Sequence, residues 1–221
     1  MGILICCYLF FSISSVILVL PTSSISENNI ILVTGFEPFD VYDINPSEQI
    51  ALQLNNTQFQ NHTIKGYVLP VNYTQAPQKM KQLIDTYNPD LILSLGLSGK
   101  AKRIQVERIA VNLRINPEAK YTFFTLRKVN MSGPWIQQAT YNFSRIRTFI
   151  KEKQIPVELS YSAGFYLCNA ILYETLFYQQ RIHQKTPAGF IHLPQLESQH
   201  PKGMTINEMI TAVYAAIDAH I

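Results

Sequence analysis

The chain has 221 residues, of which 47% are hydrophobic and only 15% charged, enough apolar material for a sizeable buried core in one domain. Its formal net charge of +3 is small and scattered, which excludes the strongly basic face of a nucleic-acid binder. No internal repeat, low-complexity tract or metal-ligand cluster is present. Gly96-Leu97-Ser98-Gly99-Lys100 lacks the spacing of a phosphate loop and the hydroxyl after its lysine.

Taken in order, Ile3 to Leu20 carries no charge and is followed by the small residues Pro21 to Ser26. The chain thus divides into a signal-like leader over 1–26 and a single domain over 27–221. The segment is also about long enough to be an uncleaved membrane anchor. Ile30–Thr34 is the first predicted strand. Asn45 caps the next helix, with Pro46 at its first position and Glu48 placed for a capping box. Thr63–Leu69 reads as a strand, Gln75–Tyr87 as a helix, and the wholly apolar Leu91–Leu95 as a strand buried on both faces. A strand over Ile104–Leu113 and a helix over most of Ile136–Lys153 follow. Then come strand 157–160, helix 168–180, strand 188–192, and a final helix opened by the capping box Thr205 to Glu208. This alternation predicts an α/β fold, a three-layer αβα sandwich with a mainly parallel, mixed central sheet.

Outside the leader, which holds Cys6 and Cys7, the single cysteine is Cys168. It falls where strand 157–160 and the small turn Ser162-Ala163-Gly164 hand over to a helix. Free N–H groups and the helix dipole stabilise a thiolate at such a place. The placement suits a nucleophile, and equally a small buried hydrophobe. A cysteine nucleophile needs a base, and of five histidines only His192 closes an apolar run, Ala188 to Pro194. Sites in open α/β sheets form at strand carboxyl ends. A satisfied structural histidine fits that position too. Glu107 lies in an alternating, β-branched run. It faces solvent, pairs with Arg108 or Arg103, or turns inward to orient a histidine.

Four segments in order resemble the pyrrolidone-carboxylate peptidases (pyroglutamyl peptidase I). They are Thr34-Gly35-Phe36-Glu37-Pro38-Phe39 with Asn45-Pro46-Ser47; Glu107 to Leu113; Ser160 to Gly164 with Cys168-Asn169; and Gly189 to Pro194. The likeness runs from about Ile30 to the C-terminus. It implies a cysteine omega-peptidase that removes an N-terminal pyroglutamyl residue from peptides without metal or organic cofactor. By this resemblance Cys168 is the nucleophile, His192 the general base and acid, Glu107 the residue orienting it, and Phe36 and Phe39 the lining for the flat lactam ring. The expected partners are peptides blocked by pyroglutamate, with a homodimer or homotetramer as a further expectation.

The chain departs from the family pattern in three places. Asp40-Val41-Tyr42 replaces a glycine pair, Leu97 stands where bacterial members commonly have glutamine, and Arg114 matches the family's loop arginine only after a register shift. These changes fit a second reading, a catalytically weakened member that binds pyroglutamyl-type ligands. The family is usually cytoplasmic. Against that, the leader and five Asn-x-Ser/Thr triplets, at Asn55, Asn61, Asn72, Asn130 and Asn142, point to the secretory pathway.

Overall fold

The computed structural model describes residues 29–116 and 126–221; the leader over 1–26 lies outside them, as do residues 117–120 of the loop after Arg114. In chain order the elements are β1 Ile30–Phe36, α1 Pro46–Leu54, β2 Gln58–Phe59, β3 His62–Leu69, α2 Gln75–Tyr87 and β4 Leu91–Leu97. Next come β5 Ile104–Glu107, β6 Ile109–Val111, β7 Arg114–Ile115, β8 Leu126–Arg127, β9 Ile136–Gln138 and α3 Phe143–Glu152. The chain closes with β10 Val157–Ser160, α4 Leu167–Arg181, β11 Ala188–Leu193 and α5 Ile206–Asp218.

Seven strands form the central sheet in the order β10-β5-β11-β4-β1-β3-β2. All its pairings are parallel except β5 with β11 and β2 with β3, so the sheet is mixed and mainly parallel. Every residue of β4 and β11 is buried, as expected of strands covered on both faces. Side chains alternate between two cores. Ile31, Val33, Leu93, Ile191 and Val106 meet Ile50 of α1, Ile146 of α3 and Val213 of α5. Leu32, Ile92 and Phe190 meet Met80 and Ile84 of α2 and Ile171 and Leu172 of α4. The result is the expected three-layer α/β sandwich.

Three local expectations need correction. The strand over Ile104–Leu113 is broken. β5 ends at Glu107, and β6 pairs with β9 in a separate two-stranded sheet, while β7 pairs with β8 in another. Its alternation was real, but alternation cannot tell which strand will be the partner. The helix expected from Ile136 begins only at Phe143, because β9 is taken up by β6 and Asn142 caps α3 by accepting from Arg145 N–H at 3.0 Å. At α1 Asn45 is the cap, yet Glu48 does not close a box. Asn45 accepts instead from Ser47 N–H and donates to the Glu37 carbonyl. The capping box at α5 forms in full between Thr205 and Glu208.

Candidate active site

Strand parity decides which side chains meet. Ile104 and Val106 point into the core beneath α3 and α5, so Gln105 and Glu107 face the α4 side. Phe190 packs on that same side, and His192, two residues on, shares its face. β5 and β11 pair Glu107 with Phe190 and Gln105 with His192, which sets Glu107 diagonally next to the imidazole. The Oε1 of Glu107 lies 2.8 Å from Nδ1 of His192. Glu107 is fully buried and His192 is 7% exposed. Neither arginine weighed as a partner for Glu107 pairs with it. Arg103 faces Glu158 at 3.5 Å, and Arg108 is stacked between the rings of Phe143 and Tyr161.

With Nδ1 engaged by Glu107, Nε2 is the ring nitrogen of His192 left over, and Cys168 lies near enough to bear on the imidazole electrostatically. Cys168 is the second residue of α4, half-buried, at a helix end that no side chain caps. Burial alone would lower the His192 pKa. The charge and hydrogen bond of Cys168, followed by those of Glu107, outweigh it and push the value up to about 10. The three residues therefore form one continuous line from a half-buried thiol to a buried carboxylate.

Gly96 explains how the thiol gets this close to the sheet. It pairs with His192 at the end of β4, and a Cβ there would come 2.7 Å from the Phe190 ring and 3.0 Å from Cys168 Sγ. Any side chain at this position would press between the Phe190 ring and the Cys168 thiol. Sequence reading passed over Gly96. Its place before the end of an apolar strand was the available signal.

Phe36 closes β1, is 3% exposed and packs against Phe190 with ring centres 6.3 Å apart. The motif Asn45-Pro46-Ser47 holds this end of the strand. Ser47 Oγ accepts from Phe36 N–H at 3.1 Å and donates to Asn45 Oδ1 at 2.7 Å, with both side chains fully buried. Phe39 lies in the following loop, half-buried, against Tyr42. Asp40 takes a positive φ of 55°, a conformation that aspartate tolerates better than most residues, so the turn survives without the family's glycines. Leu97 is buried at the end of β4.

Arg114 stacks on the Tyr73 ring at 4.6 Å. Burial raises the Tyr73 pKa, Arg114 lowers it, and the charge of Cys168 raises it. The neighbouring Asn169 has a structural part. Fully buried next to Cys168, it accepts from Val111 N–H at 2.9 Å and donates to the carbonyls of Val111 and Leu113 at 2.8 Å. It thereby fastens the segment that carries Arg114 to the start of α4.

Residues 29–221 match the family model described as pyroglutamyl peptidase. The pyrrolidone-carboxylate peptidase of Halalkalibacterium halodurans is 32% identical over 197 residues, covering 86% of this chain and 98% of that one. The Thermococcus litoralis enzyme of the same name is 36% identical over 172 residues, covering 76% of this chain and 78% of its own. A solved structure of the pyrrolidone carboxyl peptidase from Thermococcus litoralis superposes with a TM-score of 0.81 at 31% identity, covering 87% of this chain and 93% of that one. Sequence and architecture agree over nearly the whole described length, and the chain belongs to the pyroglutamyl peptidase family of hydrolases.

Proposed function

We propose that this chain removes an N-terminal pyroglutamyl residue from peptides by nucleophilic catalysis at Cys168. The observation that carries the proposal is the line Cys168–His192–Glu107 where β5 and β11 meet the start of α4, in a chain of this family. The Cys168 thiolate attacks the carbonyl carbon of the pyroglutamyl residue. The tetrahedral oxyanion is met by N–H groups at the uncapped start of α4, including that of Cys168 itself. His192 gives its proton to the leaving amine, and a thioester remains on Sγ. His192 then takes a proton from water, which attacks the thioester and releases pyroglutamate. Glu107 holds the imidazole so that Nε2 faces the thiol. A pyroglutamyl residue has no α-ammonium to grip, so recognition falls to apolar contacts with the lactam faces and a few hydrogen bonds.

The decisive assay is release of a chromogenic amine from its pyroglutamyl amide, with the prolyl amide as control. Rapid turnover of the first and not the second supports the proposal, and no turnover of either refutes it. Phe39, half-buried on its loop, serves as the ring-facing contact, with Phe36 in the core against Phe190. Phe39→Ala is expected to raise KM about tenfold with little change in kcat, the cost of about 1–2 kcal/mol for lost apolar contact. Phe36→Ala should raise KM and also lower the melting temperature, because it empties core volume. Unchanged KM in both would remove these residues from the pocket.

The raised His192 value predicts a pH profile. A raised pKa means the protonated ring stabilises the fold fully below its unfolded value of about 6.5, and that contribution is lost as pH rises through about 10. Because the imidazolium must protonate the leaving amine, kcat/KM should hold through neutral pH and fall on an alkaline limb that belongs to the Cys168–His192 pair. A limb near pH 6.5 would contradict this electrostatic picture.

The proposal includes passage through the secretory pathway, supported by the leader and the five sequons. Asn55, Asn61, Asn72 and Asn142 are exposed, whereas Nδ2 of half-buried Asn130 donates to Glu174 Oε1 at 3.1 Å. Mass spectrometry of the protein from its own cells should find an N-terminus between Ser24 and Asn29 and glycans on the exposed sites but not on Asn130. An unglycosylated protein starting at Met1 would overturn export and leave the peptidase assignment intact.

A further inference from the structure

Tyr141 lies between β9 and α3 and is 2% exposed. Its hydroxyl is 2.7 Å from the Glu107 carbonyl oxygen and 2.8 Å from that of Phe190. These two residues face each other across the antiparallel pair β5–β11, at the rung where β5 ends. One is the proposed orienter of His192, and the ring of the other packs on His192 with centres 4.9 Å apart. A phenol has a single proton, so the two carbonyls share it and the hydroxyl acts as a cross-tie between the strands.

The ring has no room to swing away. A Cβ at Gly189 would come within 1.4 Å of it, so position 189 accepts nothing larger than hydrogen while Tyr141 is present. His220 covers it from the end of α5, with ring centres 6.2 Å apart and its Nε2 accepting from Asn142 N–H at 3.0 Å. Burial, and then the nearby Glu107 carboxylate, hold the phenol well above its usual range, so it remains a proton donor wherever the enzyme works.

Glu107 is unusually dependent on such support. Its Oε1 faces His192, while its Oε2 is buried with no hydrogen-bond partner among the described residues. Its aim is therefore set by the position of its own backbone. We infer that Tyr141 is a positioning residue for the hydrolysis, tying the Glu107 and Phe190 carbonyls together and so setting the 2.8 Å Oε1–Nδ1 contact, an inference that rests on the Cys168–His192–Glu107 reading. The groups that bear on the His192 titration are Cys168 from α4 and Glu107 from β5. On the far side of Tyr141 stand His220, its pKa lowered by burial and then by Arg145.

The test is Tyr141→Phe, which keeps the ring over Gly189 and deletes only the hydroxyl. Circular dichroism and a thermal melt establish that the variant is folded. The expected result is a kcat about tenfold lower, KM within about twofold of wild type, and an alkaline limb moved to lower pH. In a Glu107→Gln background the same substitution should cost less than about twofold, because the group it positions is already impaired. The downfield Nδ1 proton resonance of His192, read by NMR of histidine-labelled protein, should move upfield in Tyr141→Phe. Wild-type kcat and an unmoved resonance would overturn the inference, as would a tenfold loss undiminished in the Glu107→Gln background. Turnover persisting in Cys168→Ala would instead strike the underlying catalytic reading, so the two failures are distinguishable.

Discussion

Cys168→Ala is expected to reduce hydrolysis of a pyroglutamyl amide to the residual level left by binding alone, a loss on the order of 10⁶-fold in kcat. The alanine variant should still fold. Cys168 is half-buried, so a small methyl in place of the thiol leaves no large cavity. Cys168→Ser should recover little. A serine hydroxyl is a far weaker nucleophile than a thiol at neutral pH. Alkylation of Cys168, the free cysteine among the described residues, should abolish turnover. Steady-state kinetics on all three preparations decides the matter. Normal turnover by Cys168→Ala would refute nucleophilic catalysis at this residue.

His192→Ala should be nearly as damaging, with kcat down on the order of 10⁴-fold or more, because thiolate formation and protonation of the leaving amine both pass through the imidazole. Glu107→Gln keeps the shape and removes the charge. Its loss should be smaller, about 10²-fold, with KM little changed. The carboxylate is one of the groups that raise the His192 pKa, so this variant should also move the alkaline limb downward. Stability adds a second readout. Glu107 is fully buried, so Glu107→Gln leaves an amide group without a partner at the Oε2 position and weakens the bond to Nδ1. The melting temperature should therefore fall as well, while circular dichroism shows the variant still folded at the assay temperature. A Glu107→Gln enzyme with the wild-type pH profile would exclude the carboxylate from the electrostatics of the site.

Much of this architecture is local and so was legible in the amino-acid order. The apolar run of β4, the cap Asn45 with Pro46, the box Thr205–Glu208 and the start of α4 next to Cys168 each depend on neighbours within a few residues. Side-chain alternation along β5 and β11 carried more than was drawn from it. It places Glu107 and His192 on the face that α4 covers, provided the two strands are adjacent. Adjacency itself was not legible. Strand order, the antiparallel joining of β5 to β11, and the diversion of β6 to β9 are choices among partners of similar hydrophobicity, and only the packed molecule makes them. The same holds for side chains whose work is done at long range. Gly96 matters because Cys168 and Phe190 close over it, Asn169 because β6 passes within reach of its amide, and Tyr141 because two carbonyls from distant strands converge on one hydroxyl. Residue types marked the candidates, since a thiol at a helix start, a strand-end imidazole and a carboxylate in an alternating run are each visible alone. Their distances were decided by tertiary structure, because the hydrogen bond between Glu107 and His192 spans 85 residues of chain and exists only once the sheet has closed.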